Sequence, residues 1–179
     1  MRILLPFILI NLSCLPALAQ GTFPAKWMGE YQGTMTLGYT DRQSASVEVS
    51  LTIAEVIPDS VWTHKMVFRS EQYGLITKDY LIKAVSKGDS VNYVLDEQNG
   101  IAMEMSFMED CFYGMYTVLG NTYITTLRRI GDKLLWDLFA APTSILTITE
   151  HNGGKSEVPI KVESLKVNLH QTVLLEKVK

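Results

Sequence analysis

Few residues in this chain could do chemistry, and their setting narrows what that chemistry is. His64 stands in the run Trp62, His64, Met66, Phe68, which alternates with Thr63, Lys65 and Arg69. Successive side chains of an extended strand point to opposite faces, so His64 shares the apolar face. If that face lines a cavity, the imidazole can hydrogen-bond a polar ligand group or ligate haem iron; if the face is core, it pairs with a backbone group or a tyrosine. Tyr93 and Tyr116 occupy similar faces of their own runs and offer hydroxyls in the same way. Met66, Met103 and Met105 share apolar faces, where flexible thioethers adapt to a ligand or fill gaps in a core. The candidate ligand contacts are therefore Trp62, His64, Met66, Tyr93, Met103, Met105 and Tyr116.

Catalytic chemistry finds no comparable support. The chain has no Gly-x-Ser-x-Gly elbow, His-Glu-x-x-His pair, phosphate loop or Cys-x-x-Cys. Asp96 and Glu97 are sequence neighbours on a strand, so their carboxylates diverge and are expected to solvate a rim. Cys111 follows Glu109-Asp110, whose charges oppose thiolate formation. The three histidines, His64, His151 and His170, are far apart, whereas a zinc site needs three or four converging ligands. The expectation is a protein that is not an enzyme and holds no metal or cofactor.

The elements that must position these residues are strands. Val47, Val49, Leu51 and Ile53 alternate with Ser46, Glu48, Ser50 and Thr52, and Ile101, Met103, Met105 and Phe107 alternate with Ala102, Glu104 and Ser106. Turn residues fall between such runs at Ile57-Pro58-Asp59-Ser60, Lys87-Gly88-Asp89, Gln98-Asn99-Gly100, Gly120-Asn121 and Gly131-Asp132. The pattern predicts strands at 26–37, 43–56, 60–69, 78–86, 90–97, 100–108, 111–119, 122–130, 133–140 and 143–150. Short strands joined by tight turns, with no helical segment, predict an all-β, antiparallel up-and-down barrel of about eight to ten strands.

Met1 to Ala19 has a basic start at Arg2, an apolar run from Ile3 to Ile10 and a small-x-small Ala17-Leu18-Ala19, the layout of a cleaved secretory signal peptide. The alternative is lipidation at Cys14. No segment is apolar and long enough for a transmembrane helix. Removal of residues 1–19 leaves a secreted or periplasmic chain of 160 residues with 15 basic and 19 acidic side chains, a net charge of −4. That balance gives no support to nucleic-acid binding, and Cys111 alone forms no internal disulfide. Residues 20–150 are expected to form the barrel. Residues 151–179 are expected to form a β extension packing on its outside, covering the strand Leu134 to Phe139, which is apolar on both faces.

The opening strand reads Trp27-Met28-Gly29-Glu30-Tyr31-Gln32-Gly33. A tryptophan there, followed by alternating glycines, resembles the calycin group of barrels, the lipocalins and fatty-acid-binding proteins. Thr77-Lys78-Asp79-Tyr80 is similar to the lipocalin Thr-Asp-Tyr motif. Ala25 stands where lipocalins carry glycine, and the loop from Gly38 to Arg42 is too short for the helical lid of fatty-acid-binding proteins. The resemblance implies that Trp27 plugs one end, with Arg128 or Arg129 packing over it, and that the interior binds a small, mostly hydrophobic ligand. Two other readings stay open. One is a non-catalytic inhibitor or scaffold with a filled barrel, meeting a protein partner or a second copy through the strand near Trp136. The other is an outer-membrane barrel with its apolar side toward lipid.

Overall fold

A computed structural model describes residues 23–71, 74–151 and 160–178. The expected signal peptide, with Cys14, and the turn at Gly153-Gly154 lie outside the described residues. Thirteen strands follow one another: β1 (Gly29–Tyr39), β2 (Ala45–Ile53), β3 (Glu55–Ile57), β4 (Val61–Ser70), β5 (Gly74–Ala84), β6 (Asn92–Asp96), β7 (Ala102–Met108), β8 (Cys111–Val118), β9 (Asn121–Ile130), β10 (Lys133–Pro142), β11 (Thr147–His151), β12 (Ile160–Ser164) and β13 (Leu169–Lys177).

Ten of them are staves of a closed barrel, in the order β1, β2, β4, β5, β6, β7, β8, β9, β10, β13 and back to β1. Every pairing is antiparallel, and every stave lies beside its neighbours in sequence, so the topology is up-and-down throughout. The short β3 pairs only with the start of β4. Nine staves coincide with predicted strands. The tenth does not. Residues 147–151 leave the barrel and pair with β12 in an exposed hairpin, while β13 fills the gap between β10 and β1. The barrel therefore does not end at residue 150, and the C-terminal segment is a wall of it as well as an appendage. β10 needs no cover laid over it: Trp136 points inward, and Phe139 on the outer face is stacked by His170 of β13 at 4.4 Å. Trp136 faces the interior and both edges of β10 are paired, so strand addition at β10 is closed, while its outer face keeps Leu135 and Phe139 half-exposed beside Ile124 and Leu174.

Closure depends on a glycine. Gly33 of β1 lies where β13 approaches closest, and a Cβ there would sit 2.5 Å from the Leu174 carbonyl oxygen and 2.8 Å from Val173 Cγ2. Only a bare backbone permits this contact.

One end of the barrel is filled. Phe23, Trp27, Trp62, Tyr93, Phe107 and Phe112 form a buried aromatic floor. Phe23 meets Trp62 at 4.7 Å and Phe112 at 4.9 Å, both edge to face. Such pairs add about 0.5–1.5 kcal/mol beyond area burial. Trp27 is fully buried as the plug. Its indole Nε1 donates to Asp110 Oδ1 at 3.0 Å, and the other carboxylate oxygen of Asp110 takes the Arg129 guanidinium. Arg128 instead donates to the Tyr113 hydroxyl. Asp110 can do this because Glu109 and Asp110 form a two-residue hairpin turn between β7 and β8, both with positive φ (49° and 59°). At the next hairpin upstream, the expected Asn99-Gly100 turn is a three-residue loop closed by Glu97 N–H to the Ile101 carbonyl at 2.9 Å.

Gly33→Ala is expected to destabilise the fold by about 1–3 kcal/mol, the usual range for overpacking. Gly38→Ala, where the nearest neighbour of a Cβ is the His170 carbonyl at 3.6 Å, should stay within about 0.5 kcal/mol. Urea denaturation of both variants checks the contrast; equal midpoints would remove Gly33 as the seam.

Candidate ligand-binding cavity

Above the aromatic floor the barrel is not filled. A cavity of about 290 Å³ lies between the walls, near the lower limit of ordinary small-molecule sites. Its lining is set by strand parity. Met35 of β1, Met66 of β4, Ile82 of β5, Met103 and Met105 of β7, Leu127 of β9 and Trp136 of β10 all stand on inward positions. Gly114, buried on β8 beside Met105 and Thr125, adds no side chain there. The polar lining residues are His64, Ser70, Lys78, Tyr80, Glu97, Tyr116, Thr125, Thr126 and Gln171.

His64 is the deepest of these. It pairs in register with Tyr80, one inward step above the Trp62–Ile82 pair. It is 6% exposed, and its Nδ1 has no hydrogen-bond partner among the described residues. Burial lowers its pKa to about 4, with Lys78 pushing the same way and an interaction with its own backbone opposing them. The imidazole is neutral at pH 7. Burial, followed by the nearby Glu97 carboxylate, raises the Tyr80 pKa. Glu97 accepts from Asn99 Nδ2 at 3.2 Å. Tyr116 stacks on Tyr123 at 5.5 Å, and its pKa is raised chiefly by burial.

Of the seven residues expected to contact a ligand, the structure brings five to the cavity: His64, Met66, Met103, Met105 and Tyr116. Trp62 and Tyr93 do not reach it. They belong to the floor, packed against Phe23 at 4.7 and 5.6 Å, because they sit nearer the plugged end of their strands. Lys78, Tyr80, Glu97 and Gln171 were not anticipated. The signal for two of them was present: Ile76, Lys78, Tyr80 and Ile82 alternate with Thr77, Asp79, Leu81 and Lys83, but a lysine on a strand reads as solvent-facing. Asp96 and Glu97 do diverge, Asp96 to an outer ion pair with Lys83 and Glu97 to the cavity mouth. Cys111 is fully buried, and its pKa is raised mainly by that burial rather than by Glu109 and Asp110, while Tyr113 and Arg128 pull it down. A buried thiol of that kind is inert.

Comparison with known proteins places this geometry in a class. No model of a known protein family matches the sequence, and neither does any curated protein sequence. Solved structures do match. The S-type phycobiliprotein lyase CPES from Guillardia theta superposes with a TM-score of 0.59 at 10% identity, over 86% of this chain and 89% of that one. Rv2717c from M. tuberculosis gives 0.52 at 12% identity, over 87% and 94%. A DUF3598-family protein of unknown function from Nostoc punctiforme gives 0.53 at 12% identity, over 86% of this chain and 48% of that one. These are lipocalin-like barrels, and the closed antiparallel ten-strand barrel of this chain has a calycin-like fold.

The His64 environment makes a prediction about acid stability. A histidine with a folded pKa of about 4 and an unfolded value of 6.5 takes up its proton first in the unfolded chain. Its contribution is therefore full above pH 6.5 and is lost as pH falls toward 4, by about 3 kcal/mol in total. Urea unfolding of wild type and His64→Gln at pH 7.5, 6, 5 and 4.2 should show the variant losing that much less; parallel curves would contradict it.

Proposed function

We propose that the protein is an exported, non-catalytic barrel that binds a small, mostly hydrophobic ligand in its interior. The observation that carries this is the cavity itself: an apolar chamber above a sealed floor, with one buried imidazole on its wall whose Nδ1 has no partner among the described residues. A buried polar atom without a partner costs about 1–3 kcal/mol, and a ligand that hydrogen-bonds it recovers part of that. Sharing the calycin barrel with a phycobiliprotein lyase supports the interior as a binding compartment. The unfilled interior counts against the alternative of an inert, filled scaffold. The outer faces of β1, β2, β4 and β5 carry Glu30, Gln32, Glu48, Lys65, Arg69 and Asp79. That is the reverse of a barrel whose outer band meets lipid.

The neutral fluorophore N-phenyl-1-naphthylamine should bind one to one, with Met105→Trp weakening it at least tenfold by occupying the chamber. No saturable fluorescence, or equal binding by the variant, would sink the interior site. Export is tested separately: whole-chain expression followed by intact mass should give a product beginning at Gln20, and retention of residues 1–19 would overturn it.

A further inference from the structure

We propose that the β11–β12 hairpin is a dimerisation arm, whose β12 pairs antiparallel with β12 of a second copy about a two-fold axis at Val162. The hairpin leaves the mouth end of the barrel between Pro142 of β10 and Leu169 of β13. Its base is tied down by the Thr143 N–H, which donates to the Gly120 carbonyl, and by the Asn168 N–H, which donates to the Ala140 carbonyl, both at 2.9 Å. β11 and β12 pair with each other and with no other described strand, so each keeps an open edge. Every residue at 143–151 and 160–167 is exposed, including Leu146, Ile148, Ile160 and Val162, of which 51–61% is open to solvent. The hairpin therefore buries neither face. A lone two-stranded hairpin is marginal in water, and further strands or a covered face are what ordinarily stabilise one.

Charge identifies what completes it. β12 reads Ile160-Lys161-Val162-Glu163-Ser164, with opposite charges at equal distances from its centre. In antiparallel pairing about Val162, Lys161 of each copy stands opposite Glu163 of the other on one face. On the other face Val162 meets Val162 of the second copy, and Ile160 meets Ser164. Opposite charges and β-branched side chains directly across a ladder are favourable pairs. Within one chain Lys161 and Glu163 already lie 2.5 Å apart, their side chains 50% and 43% exposed. A second copy turns that exposed pair into an alternating ring of four charges. β11 lacks this symmetry: about its central Thr149, Ile148 falls opposite Glu150. The same edge is used by both copies, so the assembly closes at two. Five paired residues make a small interface, and the dimer is a reversible one.

Sedimentation velocity from low to high micromolar concentration should show the wild-type protein in a monomer–dimer equilibrium. Lys161→Glu and Glu163→Lys each set like charges opposite one another twice, and each should weaken self-association about tenfold or more. An equimolar mixture of the two variants recovers both opposite-charge pairs and should dimerise as wild type does, as should the double variant K161E/E163K. Circular dichroism verifies that every variant is folded. A wild type that stays monomeric throughout, single variants that dimerise as wild type does, or a mixture that fails to associate each overturns the proposal.

Discussion

Ten staves enclose more width than side chains can fill evenly, and this geometric constraint governs the rest of the molecule. Eight-stranded barrels are already wide enough to hold one small ligand. Here the chain concentrates its large aromatic residues at one end, where Phe23, Trp27, Trp62, Tyr93, Phe107 and Phe112 interlock. Asp110 fixes that end by joining Trp27 to Arg129, so the segment before β1, the β7–β8 turn and β9 are tied at a single carboxylate. The middle of the barrel is left with a wall of methionine, aliphatic and a few aromatic side chains and a void between. The candidate site is the part of the interior that the packing of the floor does not supply.

Charge is sorted by the same walls. On the outer surface, acids and bases meet in solvent-screened pairs that contribute little to stability. Inside, the polar groups are fewer and matter more, because a less polar surrounding strengthens each interaction and penalises each unmet one. The neutral state of His64 follows from this. A buried imidazolium beside Lys78 would place two positive charges in one compartment. The protein avoids this through burial, without placing a carboxylate between them.

How much of this the sequence disclosed depended on whether the information was local. Val47, Val49, Leu51 and Ile53 state the parity of β2 without help from any other residue, and nine staves were legible in this way. For β13 the sequence showed a strand-like run from Val173 to Val178 but placed it in an outer extension, because Gln171 on its inner face and Leu174 on its outer face blur the alternation that would mark a stave. Its place between β1 and β10 depends on Gly33, which is remote in sequence. Five cavity residues could be read from apolar parity, yet parity does not report height above the floor, so Trp62 and Tyr93 were grouped with them. Lys78 was hidden for the opposite reason: a charged side chain at a barrel mouth keeps the parity of the inner face while reaching solvent. The calycin resemblance rested on Trp27 and its glycines, and the plug is where it implied, with Arg129 joined to it through Asp110.

Closure by β13 has a consequence for the life of the chain before it is folded. Residues 169–177 supply both the partner of β1 and the partner of β10. A chain synthesised only as far as residue 168 therefore carries two long open edges at once, with the unpaired N–H and C=O groups that recruit other strands. Loss of that one strand opens the barrel along β1 and β10 and leaves edges prone to joining other strands.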